Sequence, residues 1–190
     1  MLRDLLRPLT LPALALACLA APAAGQAKPT ATAGLNVAAN IVAPPLNLNG
    51  TRDLQFGALI PGTPGTVLPN AANAGEARGV GADQVHTLTF TFTLPTVLTG
   101  PAGATIPLSF NGNYAATCEI NNADVCDATS FQTWNPVTSP SHTDTPKNVG
   151  PGGTFLYTRY SVYIGGRASP AAAQRAGTYT GSITVTVTWN

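Results

Sequence analysis

Apolar and polar residues alternate along most of this chain, and beyond its first segment no stretch carries helical spacing. Ala31, Ala33, Leu35, Val37, Ala39 and Ile41 fall on alternate positions, with Thr32, Gly34, Asn36, Ala38 and Asn40 between them. Successive side chains of a strand point to opposite faces, so residues 31–42 predict one long strand with an apolar face. Pro44-Pro45 ends it, because neither residue donates a ladder hydrogen bond. Leu54-Gln55-Phe56-Gly57 opens a second strand, Pro61-Gly62-Thr63-Pro64-Gly65 is a turn cluster, and the small residues of Asn70–Gln84 read as a loop.

Alternation returns at Thr87–Leu94, where Leu88, Phe90, Phe92 and Leu94 share one face and four threonines the other. Ala104–Phe110 and Tyr114–Ile120 predict two more strands around an Asn111-Gly112-Asn113 turn. Trp134–Gly153, rich in Pro, Ser, Thr and Gly, reads as a long surface loop. Phe155–Ile164 holds one or two strands that Gly165-Gly166 breaks, and Pro170–Arg175 allows one helical turn at most. The most regular element is Ser182–Asn190, with Ile183, Val185, Val187 and Trp189 on one face and Ser182, Thr184, Thr186 and Thr188 on the other. About eight strands separated by turns predict an all-β fold, a single antiparallel β-sandwich, with no internal repeat and no second domain.

The first 27 residues stand apart. Met1–Arg7 is weakly positive, and Leu9–Leu19 is an apolar run too short to cross a bilayer as a helix. Ala21-Pro22-Ala23 and Gly25-Gln26-Ala27 offer small-residue cleavage sites. Residues 1–27 are expected to be a signal peptide, and Ala15-Leu16-Ala17-Cys18 is only a loose match to a lipoprotein box. Residues 28–190 then form the domain, led by the strand at 31–42, and contain no expected membrane span. Removal of the leader takes away Arg3, Arg7 and Asp4 and leaves seven basic and seven acidic residues. A nucleic-acid binder needs a basic patch, and this balance argues against one. Cys118 and Cys126, eight positions apart, are expected to form a disulfide in an exported protein, a loop closure that stabilises by roughly 2.5 kcal/mol.

Catalytic chemistry finds little support. His86 and His142 are the only histidines. Ser141-His142-Thr143-Asp144 puts three triad residue types in one loop, but adjacent loop residues lack the fixed orientation a triad requires. Both histidines read as solvated. Glu119, Asp124 and Asp127, with Asn121 and Asn122, form an acidic patch around the cysteines that matches no calcium-loop spacing. Asn49-Gly50-Thr51 reads as a turn. The glycines at 79, 81 and 150–153 join no strand to a helix, so they form no phosphate cradle. Trp134, Tyr157, Tyr160 and Tyr163 are candidates for a sugar-binding surface, and Trp134 and Tyr160 equally for core or rim positions. No catalytic residue, cofactor or metal is expected.

The segments SVYIGGRASP (161–170) and AGTYTGSITVTVTWN (176–190) resemble the ending of a bacterial secreted family known as domain of unknown function 4402. LNVAANIV (35–42) and LQFGALIPG (54–62) resemble its first two strands, and TFTLPTVLTG (91–100) is a looser middle match. Between residues 111 and 154 the resemblance fades. The same head-and-tail arrangement is similar to spore coat protein U domains and to the pilins of archaic chaperone–usher systems. That resemblance implies an immunoglobulin-like, pilin-like sandwich lacking its final strand, completed by the N-terminal extension of a neighbouring copy or related subunit. It also implies a periplasmic chaperone that fills the groove beforehand, and an outer-membrane usher.

On that reading Ala33, Leu35, Val37, Ala39 and Ile41 are the inserted side chains, and the strand of Ile183, Val185, Val187 and Trp189 is the groove edge. The expected protein is a non-enzymatic surface subunit, secreted through the periplasm. The alternative is a self-complete secreted sandwich, with residues 35–41 paired inside their own chain, that binds a glycan or a protein partner through its loops.

Overall fold

A computed structural model describes residues 46–81, 87–120, 124–145 and 158–189. The proposed signal peptide and the strand at 31–42, with Ala33, Leu35, Val37, Ala39 and Ile41, lie outside the described residues. The described chain forms twelve strands: β1 (Asn47–Arg52), β2 (Gly65–Val67), β3 (Gly75–Gly81), β4 (Leu88–Thr93), β5 (Val97–Thr99), β6 (Thr105–Ser109), β7 (Ala115–Glu119), β8 (Gln132–Trp134), β9 (Ser141–Asp144), β10 (Thr158–Ile164), β11 (Gly166–Ala168) and β12 (Thr184–Trp189). Only a single 3-10 turn, Pro101–Gly103, interrupts the β structure. No described helix is long and apolar enough to cross a membrane.

Every strand pairing is antiparallel. A five-stranded sheet runs β1-β3-β10-β7-β8, a three-stranded sheet runs β12-β4-β9, and a four-stranded sheet runs β2-β11-β6-β5. The core lies between the first two, which makes the fold the antiparallel β-sandwich the pattern predicts. Leu88 and Phe90 of β4 pack against Tyr160, Val162 and Ile164 of β10, with Phe110, Ala115 and Trp134 beside them. The phase follows from alternation: Ser161 and Tyr163, between those β10 residues, face the other side of the sheet.

The register explains why β3 is a strand despite its composition. Gly75, Ala77 and Gly79 stand opposite Ile164, Val162 and Tyr160. A side chain on Gly79 would run into the Tyr160 ring and the Asn47 carbonyl. The ring therefore crosses β3 over Gly79, and its hydroxyl donates to the Asn47 carbonyl oxygen on β1 at 2.9 Å. On its other side it meets Phe90 edge-on, with ring centroids 5.4 Å apart. One aromatic side chain thus joins three strands of one sheet to the facing sheet, and it supplies the apolar surface that the glycine lacks.

Several segments differ from expectation. Asn70–Gln84 is not all loop, since it contains β3. Asn49-Gly50-Thr51 lies within β1 rather than in a turn. Leu54–Gly57 is irregular: it is tied down by a hydrogen bond from the Gln55 amide to the Asn73 carbonyl and by one from the Asn73 side chain back to Gln55. Trp134–Gly153 is not one loop, because Trp134 closes β8 and β9 follows. Trp134 and Tyr160 are core residues. Pro170–Arg175 makes one turn, with the Gln174 amide donating to the Ala171 carbonyl.

Two substitutions test this packing by urea unfolding. Phe90→Ala is expected to cost about 3–5 kcal/mol through the cavity it leaves. Gly79→Ala, which in an open strand stabilises by roughly 0.5–1 kcal/mol, is expected instead to destabilise by about 1–3 kcal/mol by overpacking. A stabilised Gly79→Ala protein would refute the role given to Tyr160.

Candidate functional site

Among the described residues the two sides of the sandwich are built differently. On the side of β1 and β12 lies a groove of about 1020 Å³. Its floor is the inner face of the five-stranded sheet, where Gly75 and Ala77 contribute almost no bulk between Leu54, Val162 and Ile164. Leu98, Ile106, Leu108 and Phe110 of the β5–β6 region form one wall, and Ile183 and Val185 form the border at the start of β12. Arg52, Asp53, Gln174 and Arg175 stand among its polar lining.

β12 carries the predicted groove-edge residues. It pairs with β4 along its whole length, from Thr184 opposite Thr93 to Trp189 opposite Leu88. Among the described residues no strand pairs with its other edge. Val185, Val187 and Trp189 turn toward the core and remain half-buried, whereas Thr184, Thr186 and Thr188 are exposed. Ile183 precedes the strand and packs on the same core. An apolar trough beside an edge that lacks a described ladder partner offers an extended segment both main-chain hydrogen bonds and side-chain pockets.

The opposite side, between β8 and β9, is closed by aromatic and polar contacts. The His142 ring stacks on Trp134 with centroids 4.1 Å apart and planes 12° apart. Asp144 accepts hydrogen bonds from the Thr117 hydroxyl at 3.3 Å and the Gln132 amide at 3.4 Å. His142 is therefore not a solvated loop residue. Its Nε2 is buried without a hydrogen-bond partner among the described residues. Burial holds its pKa below the ordinary 6.5, against the opposing pull of Asp144. Ser141, Thr143 and Asp144 do not form a triad with it: the imidazole is spent on the stack and the carboxylate on Thr117 and Gln132.

The outer face of the five-stranded sheet carries the cysteines. Cys118 and Cys126 form a disulfide, with Cα atoms 5.7 Å apart. The acidic patch dissolves into separate contacts. Asp124 pairs with Arg159 at 2.9 Å and with Arg78 at 3.3 Å. Asp127 accepts hydrogen bonds from the Thr129 amide and hydroxyl, and Glu119 is buried. No group of His, Cys, Asp and Glu among the described residues is placed to hold a metal ion.

Glu76, on the same face, escaped sequence reasoning. Desolvation pushes its pKa up, but hydrogen bonds from Arg78 Nε at 2.6 Å and the Ser161 hydroxyl at 2.9 Å, with the charges of Arg78 and Arg52, hold it below the ordinary 4.5. Ser161 is 0% exposed, so this serine–carboxylate pair is structural. The floor residue Ala77 also went unseen. Its signal was present as the period-two run of small residues Gly75, Ala77, Gly79 and Gly81, set between Glu76, Arg78 and Val80.

The described residues form an antiparallel β-sandwich with a groove beside β12. Residues 46–189 match the family described as domain of unknown function (DUF4402), and the chain belongs to that family. The match runs through residues 111–154, so the cysteine loop and the Trp134 segment fall inside the family domain, whereas residues 35–42 precede it. No curated protein matches the chain.

Two stability measurements follow. His142 has a folded-state pKa below its unfolded value, so the unfolded chain takes up the proton first. Its contribution is present above pH 6.5 and is lost as the pH falls through and below that value. His142→Phe keeps an aromatic ring on Trp134 and is expected to flatten stability between about pH 7 and 5, leaving the carboxylate-driven loss below that range; an unchanged profile would refute this. The double variant Cys118→Ser, Cys126→Ser is expected to lose roughly 2–3 kcal/mol in denaturant.

Proposed function

We propose that this protein is a non-enzymatic structural subunit, secreted through the periplasm and assembled at the cell surface by strand addition. The observation that carries the reading is the apolar groove beside β12. Residues 31–42 of a neighbouring copy or related subunit are the inserted segment. At about 3.4 Å per residue, Ala33–Ile41 spans roughly 27 Å, enough to run along the whole of a six-residue strand such as β12. Burial of Leu35, Val37 and Ile41 at about 25 cal/mol per Å² contributes several kcal/mol, before any ladder hydrogen bonds. The small residues Ala33 and Ala39 suit the parts of a groove where a wall stands close.

The similarity of the chain's two ends to spore coat protein U domains and archaic chaperone–usher pilins supports the same reading. It adds a periplasmic chaperone as the groove's first occupant and an outer-membrane usher as the assembly site. Head-to-tail strand donation does not close on itself, so it propagates as a fibre. The inserted strand must leave its groove all at once, which makes such polymers kinetically stable.

The test is an SDS gel of mature protein taken from the cell surface, run unheated and boiled. A ladder that collapses to one band on boiling is expected. Deletion of residues 28–42 is expected to abolish the ladder while leaving a folded domain. A single monomer band in both lanes from correctly exported protein would overturn the proposal in favour of the self-complete sandwich.

A further inference from the structure

We propose that a second cleft, on the opposite face of the five-stranded sheet, binds a pyranose ring of a glycan. This goes beyond strand assembly, and of the residues that line the cleft only Arg52 also lines the groove. Tyr163 lines the cleft and alternates with Val162 and Ile164, which line the groove. The cleft has a volume of about 450 Å³, within the range of small-ligand sites. The rings of Phe131 and Tyr163 lie along it, centroids 6.0 Å apart and inclined at 46°. Ala71, Ala72 and Ala128 keep the space between them open.

Two polar side chains complete the lining, Arg52 and Asn70. Arg52 is held in place: its Nε donates to the Ala74 carbonyl at 2.6 Å, and its Nη1 lies 3.5 Å from Glu76. Neither contact uses Nη2. The Asn70 amide offers both a donor and an acceptor. A purely apolar occupant would dehydrate these groups without pairing them, at a cost in binding. A sugar ring lays its C–H face on the partly exposed Phe131 ring, with the buried Tyr163 beneath it, and offers hydroxyls to the guanidinium and the amide, which meets both demands.

The surroundings suit a built site on an exposed surface. The disulfide anchors Cys126, and the Asp127 side chain caps Thr129, so the wall that contains Ala128 is fixed at both ends. Leu68 and Val125, next in sequence to Pro69 and Cys126 of the lining, are 55% and 52% exposed.

The experiment is saturation-transfer NMR on the mature protein with methyl glycosides of glucose, galactose, mannose, N-acetylglucosamine and glucuronic acid. Transfer to at least one sugar is expected. It should vanish in Ala72→Trp, which fills the cleft from an exposed position, and should fall at least about tenfold in affinity in Asn70→Ala, with unchanged circular dichroism in both. Absence of transfer to every sugar, or transfer that survives both substitutions, would overturn the proposal. The boiling-sensitive ladder is read in the same variants; its persistence in Ala72→Trp separates loss of the sugar from failure of strand assembly.

Discussion

The contact on which the sandwich depends is the Tyr160 ring lying across Gly79. A five-stranded sheet with glycine and alanine at the inward positions of its second strand has little apolar surface of its own there. Tyr160 supplies that surface from the neighbouring strand and ties β1 through the Asn47 carbonyl. It then presents its flank to Phe90 of the other sheet. Tyr160 is buried, and desolvation raises its pKa, so the hydroxyl keeps the proton that it donates to β1. Small inward residues on β3 are thus a requirement of the packing at Gly79 and an opening at Ala77, two positions earlier in the same strand. The groove and the core are made from one strand's lack of side chains.

The two sides of the sandwich express opposite solutions to one problem. Any pair of facing sheets leaves apolar interior accessible between its edge strands. Between β8 and β9 the Trp134–His142 stack and the bonds of Asp144 seal it. Between β1 and β12 no described strand does so, and the aliphatic floor and walls are left beside Arg52, Asp53, Gln174 and Arg175. Sealing with a polar cluster is specific and permanent, whereas an apolar trough beside an edge strand discriminates by shape and length of whatever extended segment enters it.

What could be read from the chain follows how each element is buried. β4 and β12 bury one face only, and their Leu/Phe and Val/Trp alternation with threonine was legible at once. The disulfide followed from cysteine parity, and the shared inward face of Val185, Val187 and Trp189 from the pattern of the last strand. β3 was not legible, because its inward residues are small for the sake of Tyr160 and of the groove, and neither partner is near it in sequence. β9 was missed because a four-residue edge strand of Ser, His, Thr and Asp has the composition of a loop. The His142–Trp134 stack and the bonds of Asp144 to Thr117 and Gln132 give it an inward face. Leu54–Gly57 misled in the other direction: its apolar residues serve as groove wall without joining a ladder.

The pairing of β12 with β4 has a bearing on how the protein is made. Phe90 and Val187 are cross-strand partners although ninety-seven positions separate them. The three-stranded sheet therefore cannot form until almost the whole domain has been synthesised, and closing so long a loop is slow compared with local pairing. Until β12 arrives, Leu88 and Phe90 have lost one flank of their shelter. A chain synthesised from its N-terminus thus carries the apolar face of β4 before its last strand exists, and the interval between the two is when it is most exposed to proteases and to unwanted association.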